Sequence, residues 1–362
     1  LNNISMPNGW AEYNNTNSLY WQEETYLTYN KVFGEHRLNA MAGLSWTERT
    51  ENYNKARTEG FSDDFFEDFN MGAGTTPSAP ESSWERWRMN SYFLRFAYTY
   101  KDRYSATVTT RVDGSSKFGE NNKYAVFPSA GLAWNISQED FLKDNNTISN
   151  LKLHTSYGLT GNSEIDVYKS LARVTSGTLL LNGVRAPYSY ISDMANPDLK
   201  WEKTGQFDLG MEIGLWQNKL SFDVAYYNKK TTDLLLDCPL PHSTGFKTVY
   251  KNIGSVRNQG MDLMISARPV TTNDFSWSST LNLNYNKNEI LHLGDNDEDI
   301  EMNGWVGGSE SILRVGENMS SFYGYRRLGV YTEEDYKAGN CALNQVGRAK
   351  RTETKEIIGK GM

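Results

Sequence analysis

The chain has 362 residues, with 37 basic and 44 acidic side chains, a formal charge of −7, 13% aromatic residues and 30 glycines. That aromatic content excludes disordered or collagen-like material, which lacks apolar surface to bury, and the acidic balance excludes a phosphate-backbone partner, so no nucleic acid is expected. Mean hydropathy is −0.64, and no stretch approaches the roughly 18 consecutive apolar residues of a membrane helix, which excludes a helical membrane protein.

Alternation with a period of two recurs along the chain and predicts strands. A less regular strand is expected near residues 18 to 30 and a second over 37 to 49. Tyr92, Leu94, Phe96 and Tyr98 then alternate with Arg95, Ala97 and Thr99. Beyond a Lys101-Asp102-Arg103 turn, Tyr104, Ala106, Val108 and Val112 oppose Thr107, Thr109 and Arg111. Further strands are expected over 124 to 136 and 151 to 160. In residues 206 to 215, Phe207, Leu209, Met211, Ile213 and Leu215 share one face, while Gln206, Asp208, Gly210 and Glu212 share the other. Across Gln217-Asn218-Lys219, Leu220, Phe222, Val224 and Tyr226 oppose Ser221, Asp223 and Ala225, which predicts a hairpin. Residues 258 to 268 and 276 to 289 bring the count to about ten, the last with Trp277, Leu281, Leu283 and Tyr285 facing away from Thr280, Asn282 and Asn284. No amphipathic helix of normal length is predicted.

Short links near residues 31 to 36, 101 to 103, 216 to 219 and 269 to 275 alternate with longer ones near 50 to 83, 161 to 200, 232 to 257 and 290 onward. One end of the sheet is therefore trimmed and the other elaborated, as in outer-membrane barrels with short periplasmic turns and long extracellular loops. The links near 114 to 123 and 137 to 150 break the size rule but keep the parity. A soluble β-sandwich or propeller would also alternate. Strands of 10 to 14 residues exceed the usual length of about five or six and fit a tilted crossing of a bilayer. Tyr100, Tyr104, Trp134, Trp216 and Trp277 gather beside the short turns, like an interfacial girdle.

Several blocks carry a family resemblance. They run Arg111-Val112-Asp113-Gly114-Ser115-Ser116-Lys117-Phe118-Gly119, then Phe127-Pro128-Ser129-Ala130-Gly131-Leu132-Ala133-Trp134, then Ser156-Tyr157-Gly158-Leu159-Thr160-Gly161-Asn162. Asn196-Pro197-Asp198-Leu199-Lys200-Trp201-Glu202-Lys203-Thr204, Tyr226-Tyr227-Asn228-Lys229-Lys230-Thr231-Thr232-Asp233-Leu234-Leu235 and Asn252-Ile253-Gly254-Ser255-Val256-Arg257-Asn258-Gln259-Gly260 follow in order. Over roughly residues 90 to 330 the chain resembles the barrel region of SusC/RagA-family TonB-dependent outer-membrane transporters of Bacteroidetes, and the likeness fades after Tyr331. The resemblance implies an all-β fold, a transmembrane antiparallel barrel of about 22 strands with an N-terminal plug. Residues 1–362 are then expected to be one partial barrel domain of a larger polypeptide. It also implies localisation in the outer membrane of a Gram-negative, Bacteroidetes-like bacterium. There the protein would import oligosaccharides or oligopeptides with a SusD-like surface lipoprotein, driven by TonB through the plug. The alternative is a soluble or surface-attached β-rich glycan-binding protein.

No catalytic constellation is legible. His36, His154, His242 and His292 lie in separate segments without HExxH or a nucleophile elbow, so neither enzyme activity nor a cofactor is expected. Cys238 and Cys341 match no metal or disulfide spacing. Asp295-Asn296-Asp297-Glu298-Asp299 resembles the start of a calcium loop, but Ile300 stands where the turn needs glycine and Val306 where the last ligand belongs, so a solvated acidic loop is expected. The candidate lumen-facing residues are Arg95, Arg111, Asp208, Glu212, Asp223 and Asn282, with Thr107 among them. The candidate substrate or partner contacts are aromatic and charged loop residues: Arg185, Tyr188, Tyr190, Asp193, Trp201, Trp305, Tyr323, Tyr325 and Arg326.

Overall fold

The structure is a computed structural model that describes residues 9–359 apart from 64, 66–68, 247, 295, 304–308, 320, 343 and 344. Ten long strands make one sheet: β1 (Trp10–Phe33), β2 (His36–Glu59), β3 (Glu81–Tyr100), β4 (Tyr104–Ser115), β5 (Tyr124–Asn135), β6 (Ile148–Asn162), β7 (Glu202–Leu215), β8 (Leu220–Thr232), β9 (Ser255–Thr271) and β10 (Ser276–His292). Each pairs antiparallel with the next in sequence, so the sheet is a simple meander. Every strand read from the alternation is present.

The connections keep the expected parity. At one end they are tight: Gly34 takes φ 58°, Lys101 and Asp102 take 55° and 56°, and Trp216, Gln217 and Asn218 take 50°, 59° and 61°. These left-handed residues match the turn to the right-handed twist of the strands. At the other end the links at residues 60–80, 116–123, 163–201, 233–254 and from 293 onward hold the remaining short strands. The link over 163–201 is not irregular: Arg173–Leu181 and Val184–Asp193 form a hairpin closed by Asn182 and Gly183 at φ 50° and 82°. A second hairpin pairs Leu235–Pro239 with Thr248–Asn252.

Three strands outrun the sequence reading. β1 and β2 have 24 residues each and β3 has 20. Their extra length at the elaborated end, around Asn14, Asn15, Asn52 and Asn54, is polar on both faces and shows no alternation, yet the ladder from Trp10↔Glu59 to Phe33↔His36 is unbroken. Backbone pairing, independent of side-chain polarity, carries those segments.

The sheet has an unusual polarity. Register places Phe207, Leu209, Met211, Ile213 and Leu215 of β7 on one face with Tyr226, Val224, Phe222 and Leu220 of β8 and with Leu153 and Tyr157 of β6. The same face continues through Leu132, Ala106, Tyr98 and Leu38. This apolar face is the exposed one: Leu209 is 42% exposed, Leu132 61% and Leu283 52%. On the opposite face Ser45, Thr47, Ser91, Asp113 and Ser115 are buried. A water-soluble sheet does the reverse, because exposed apolar area costs free energy in water.

Across β7 the apolar face runs from Phe207 to Leu215, about nine residues and about 27 Å along the strand, the length of one tilted bilayer crossing. At its trimmed edge the rings stack in a row: Phe33–His36 at 5.1 Å, His36–Tyr100 at 4.8 Å, Tyr100–Tyr104 at 6.5 Å and Tyr104–Trp134 at 6.3 Å. The Tyr104 hydroxyl and the Trp134 Nε1–H both donate to Glu139, at 2.6 and 3.0 Å. Amphipathic rings with one wet edge suit a membrane interface.

The packed apolar core lies at the elaborated end. Phe118, Ala125, Phe127, Ile165, Leu199 and Trp201 form one buried cluster, and Val256, Ile290 and Leu293 form another.

Candidate lumen and outer-loop surface

The six inward candidates share the polar face. Arg95 pairs across to Thr109, Asp208 to Ser156, Glu212 to Lys152 and to Asp223, and Asp223 leads through Met264 to Asn282. They line the sheet from β3 to β10 and do not converge on one point. Arg111 donates to Asp113 at 2.7 Å and to Ser91 at 2.8 Å. Asp208 accepts from Gln206 at 2.7 Å and Ser156 at 3.3 Å, and Glu212 accepts from Lys152 at 2.8 Å. A side chain at Gly210 would sit 2.3 Å from His154 Nε2, so the glycine makes room for the imidazole on this face. Such a lining offers hydrogen bonds to a hydrophilic solute.

A polar cleft of about 300 Å³ opens where this face meets the loops. Arg49 and Glu51 of β2, Glu85 and Trp87 of β3, Lys117 and Tyr250 line it. Arg49 donates to Glu51 at 2.6 Å, and the Lys117 ammonium lies 5.3 Å from the Trp87 ring centre. Burial pushes the Tyr250 hydroxyl up, with Asp237 and Asp166 acting in the same sense. Sequence reading missed this cleft because Arg49, Glu51 and Glu85 lie at or beyond the predicted strand ends. Their odd numbering, in step with Arg95 on β3, was the available signal.

The loop candidates divide. Arg185, Tyr188, Tyr190 and Asp193 belong to the hairpin of the 163–201 link, where the two tyrosine rings stack at 5.8 Å and are 41% and 50% exposed. Asp193 accepts two bonds from Arg173, at 3.0 and 2.8 Å, and one from Ser192. The Arg173 guanidinium first, then the Ser192 hydroxyl, hold its carboxyl below the usual aspartate range. Trp201 requires a correction: it is 3% exposed, packed at a tilt against Phe118 at 4.8 Å and edge-on to Phe127 at 5.5 Å, with its Nε1–H donated to the Lys123 carbonyl. It is a core residue and presents no surface to a solute. Trp305 lies outside the described residues. Tyr323 and Tyr325 lie under Lys355 and Arg351, at 5.5 and 4.2 Å, and Arg326 pairs with Glu356 at 2.8 Å. Among the described residues no hydrogen bond, ion pair or ring contact joins this group to the Tyr188 hairpin.

The acidic run has structural partners. Asp297 accepts from the Leu293 N–H at 2.7 Å, and Asp299 is gripped by Arg314 at 2.6 Å. The Leu293 amide and the Arg314 guanidinium lower these two carboxyls respectively. Asp295 lies outside the described residues.

The blocks that carry the resemblance meet in space. Gly119 N–H donates to the Leu199 carbonyl at 2.9 Å, and Asn121 to the Asp198 carboxylate at 2.8 Å. Asn252 accepts from the Lys200 N–H and donates back to the Lys200 carbonyl, at 2.8 and 2.7 Å, while the Lys200 ammonium pairs with Asp233 at 3.0 Å. A Cβ at Gly119 would lie 2.0 Å from the Pro197 carbonyl oxygen, so only glycine permits this approach. The motifs form a clamp that closes three outer links over the Trp201 cluster.

A meander sheet that is apolar and exposed on one side, polar and bonded on the other, and clamped at one end by long loops defines part of a transmembrane antiparallel β-barrel. The chain belongs to the TonB dependent receptor-like, beta-barrel family, whose model matches residues 2–352. It is 38% identical over 336 residues to TonB-dependent receptor P3 of Formosa agariphila, covering 92% of this chain and 33% of that protein. It is 36% identical over 273 residues to TonB-dependent receptor SusC of Bacteroides thetaiotaomicron, covering 71% of this chain and 27% of that one. A solved RagAB peptide transporter superposes with TM-score 0.80 at 31% identity over 90% of this chain and 36% of the other. The chain thus spans about a third of the length of the relatives it matches.

Proposed function

We propose that this chain is part of an outer-membrane importer that draws oligosaccharides or oligopeptides through a polar lumen. It works with a SusD-like surface lipoprotein at the elaborated end and with TonB at the trimmed, periplasmic end. The inverted polarity of the ten-strand sheet carries this reading, because an exposed apolar band backed by a hydrogen-bonding face suits a barrel wall and no soluble fold. The SusC and RagAB likenesses support the transport assignment. Residues 1–362 form one barrel segment in this scheme. Arg95, Arg111, Asp208, Glu212, Asp223 and Asn282 face the solute path, and Tyr188, Tyr190 and Arg185 stand at the mouth. No step needs a bound cofactor or covalent chemistry.

The test is detergent extraction of outer membranes followed by affinity purification of the whole polypeptide and mass spectrometry of what accompanies it. The proposal expects a species well above 41.2 kDa with a surface lipoprotein. A detergent-free soluble protein with no partner would overturn the proposal and make the loop aromatics the place to look for a binding function.

A further inference from the structure

The outward face has a recess where the apolar band ends on the elaborated side. It lies between β6, β7 and β8 and encloses about 470 Å³. Tyr157, Leu159 and Phe207 form its apolar wall, continuous with the band below, and Gly205 leaves its floor open. Lys203 and Lys230 stand above that wall as diagonal neighbours, since Lys203 faces Thr232 and Lys230 faces Gly205 across the ladder. Arg257 lies directly opposite Lys230 on the next strand, and its Nε is buried without a partner. Arg257 and Lys287 share one carboxylate, Glu289, at 2.9 and 3.6 Å. Among the described residues no carboxylate pairs with Lys203 or Lys230. The trimmed edge differs: there Arg37, Lys101 and Arg103 pair with Asp102, Glu35 and Glu139, at 2.5, 3.3 and 2.9 Å.

Like charges opposed across a ladder destabilise the sheet, so three adjacent cations at one spot call for an anion. The anion must come from a molecule that is apolar on its other side, because the cations cap a wall that runs into the hydrocarbon-facing band. We propose that this recess seats an anionic phosphorylated lipid of the adjoining leaflet, with its phosphate on Lys203 and Lys230 and a chain along Tyr157 and Phe207. Arg257 adds the third positive charge at the rim. This inference rests on the membrane-barrel reading above and adds a headgroup preference that an ordinary lipid-facing surface lacks.

The experiment is native mass spectrometry of the whole detergent-purified polypeptide, titrated with a phosphatidic acid, with a phosphatidylcholine of the same chains, and with inorganic phosphate. Parent protein should retain the phosphatidic acid in preference to the phosphatidylcholine. A Lys203→Gln/Lys230→Gln variant should bind the anionic lipid about thirty-fold more weakly, about 2 kcal/mol at about 1.4 kcal/mol per factor of ten. A Lys219→Gln variant in the trimmed turn should match the parent, and all three proteins should keep the same heat-modifiable gel mobility. Equal retention of both lipids by the parent, or equal affinity in parent and double variant, would overturn the proposal. Inorganic phosphate competing as well as the lipid would also overturn it, in favour of a free-anion site. A protein that stays in solution without detergent and binds neither lipid would bring down the barrel reading itself, a separate and recognisable outcome.

Discussion

Replacing Leu209 by Arg tests which face meets hydrocarbon. The apolar run of β7 is centred on Met211, so Leu209 sits two residues, about 7 Å along the strand, from the middle of the band. With a strand tilt of about 40° that is about 5 Å in depth, still well inside the apolar zone. An arginine there should cost about 2–3 kcal/mol, somewhat below the midplane maximum. Gln206→Arg, three residues away on the polar face, places a guanidinium beside Asp208, which Gln206 now contacts at 2.7 Å, and should cost under about 1 kcal/mol. The assay is the urea concentration at which the whole barrel, in detergent micelles, loses its heat-resistant gel mobility. Leu209→Arg should lower that midpoint strongly and reduce the assembled fraction in membranes, while Gln206→Arg should leave both near the parent. Equal effects, or a larger one at residue 206, would refute the face assignment.

Four further outcomes are expected. Trp201→Ala empties the centre of the loop core and should cost about 3–5 kcal/mol, seen as faster proteolysis within the 163–201 link. Tyr188→Ala, at an exposed ring, should leave that proteolysis unchanged and alter solute uptake. Gly119→Ala forces a Cβ onto the Pro197 carbonyl, where it would sit 2.0 Å away, and should destabilise the clamp by more than about 1 kcal/mol, measured by amide exchange at Leu199 and Gly119. For the Arg173–Asp193 pair the folded carboxyl is lowered, so its contribution is fully present above the ordinary aspartate pKa and is lost as pH falls through the lowered folded value. Amide protection factors in the hairpin, taken against the intrinsic exchange rate at each pH, should therefore fall in acid for the parent, and those of Asp193→Asn should be low at all pH values.

The barrel wall was legible because lipid on one side and water on the other impose strict alternation, and from Tyr92 to Tyr98 or Phe207 to Leu215 the chain obeys it. Where water bathes both faces, as at Asn14 to Asn17 or Asn52 to Lys55, nothing forces a pattern, and the extended parts of β1 and β2 could not be read. The hairpin over 173–193 was readable in principle, since Asn182-Gly183 between Leu179-Leu180-Leu181 and Val184 is a strong turn signal. It was obscured because Leu179 to Leu181 do not alternate. Trp201 shows the limit for site residues: a tryptophan in a long link looks like a binding surface until Phe118 and Phe127, about eighty residues away in sequence, are found packed against it. The family blocks were visible as a pattern, but that they clamp one another through Gly119, Lys200 and Asn252 is a long-range fact that no local spacing encodes.

The most direct measurement is a cysteine scan of residues 205–214 in the whole protein, spin-labelled and read by electron paramagnetic resonance with membrane-dissolved oxygen and a water-soluble nickel chelate. The account predicts a period of two, with residues 207, 209, 211 and 213 relaxed by oxygen and residues 206, 208, 210 and 212 by the chelate. Equal access at odd and even positions, or the opposite phase, would contradict it.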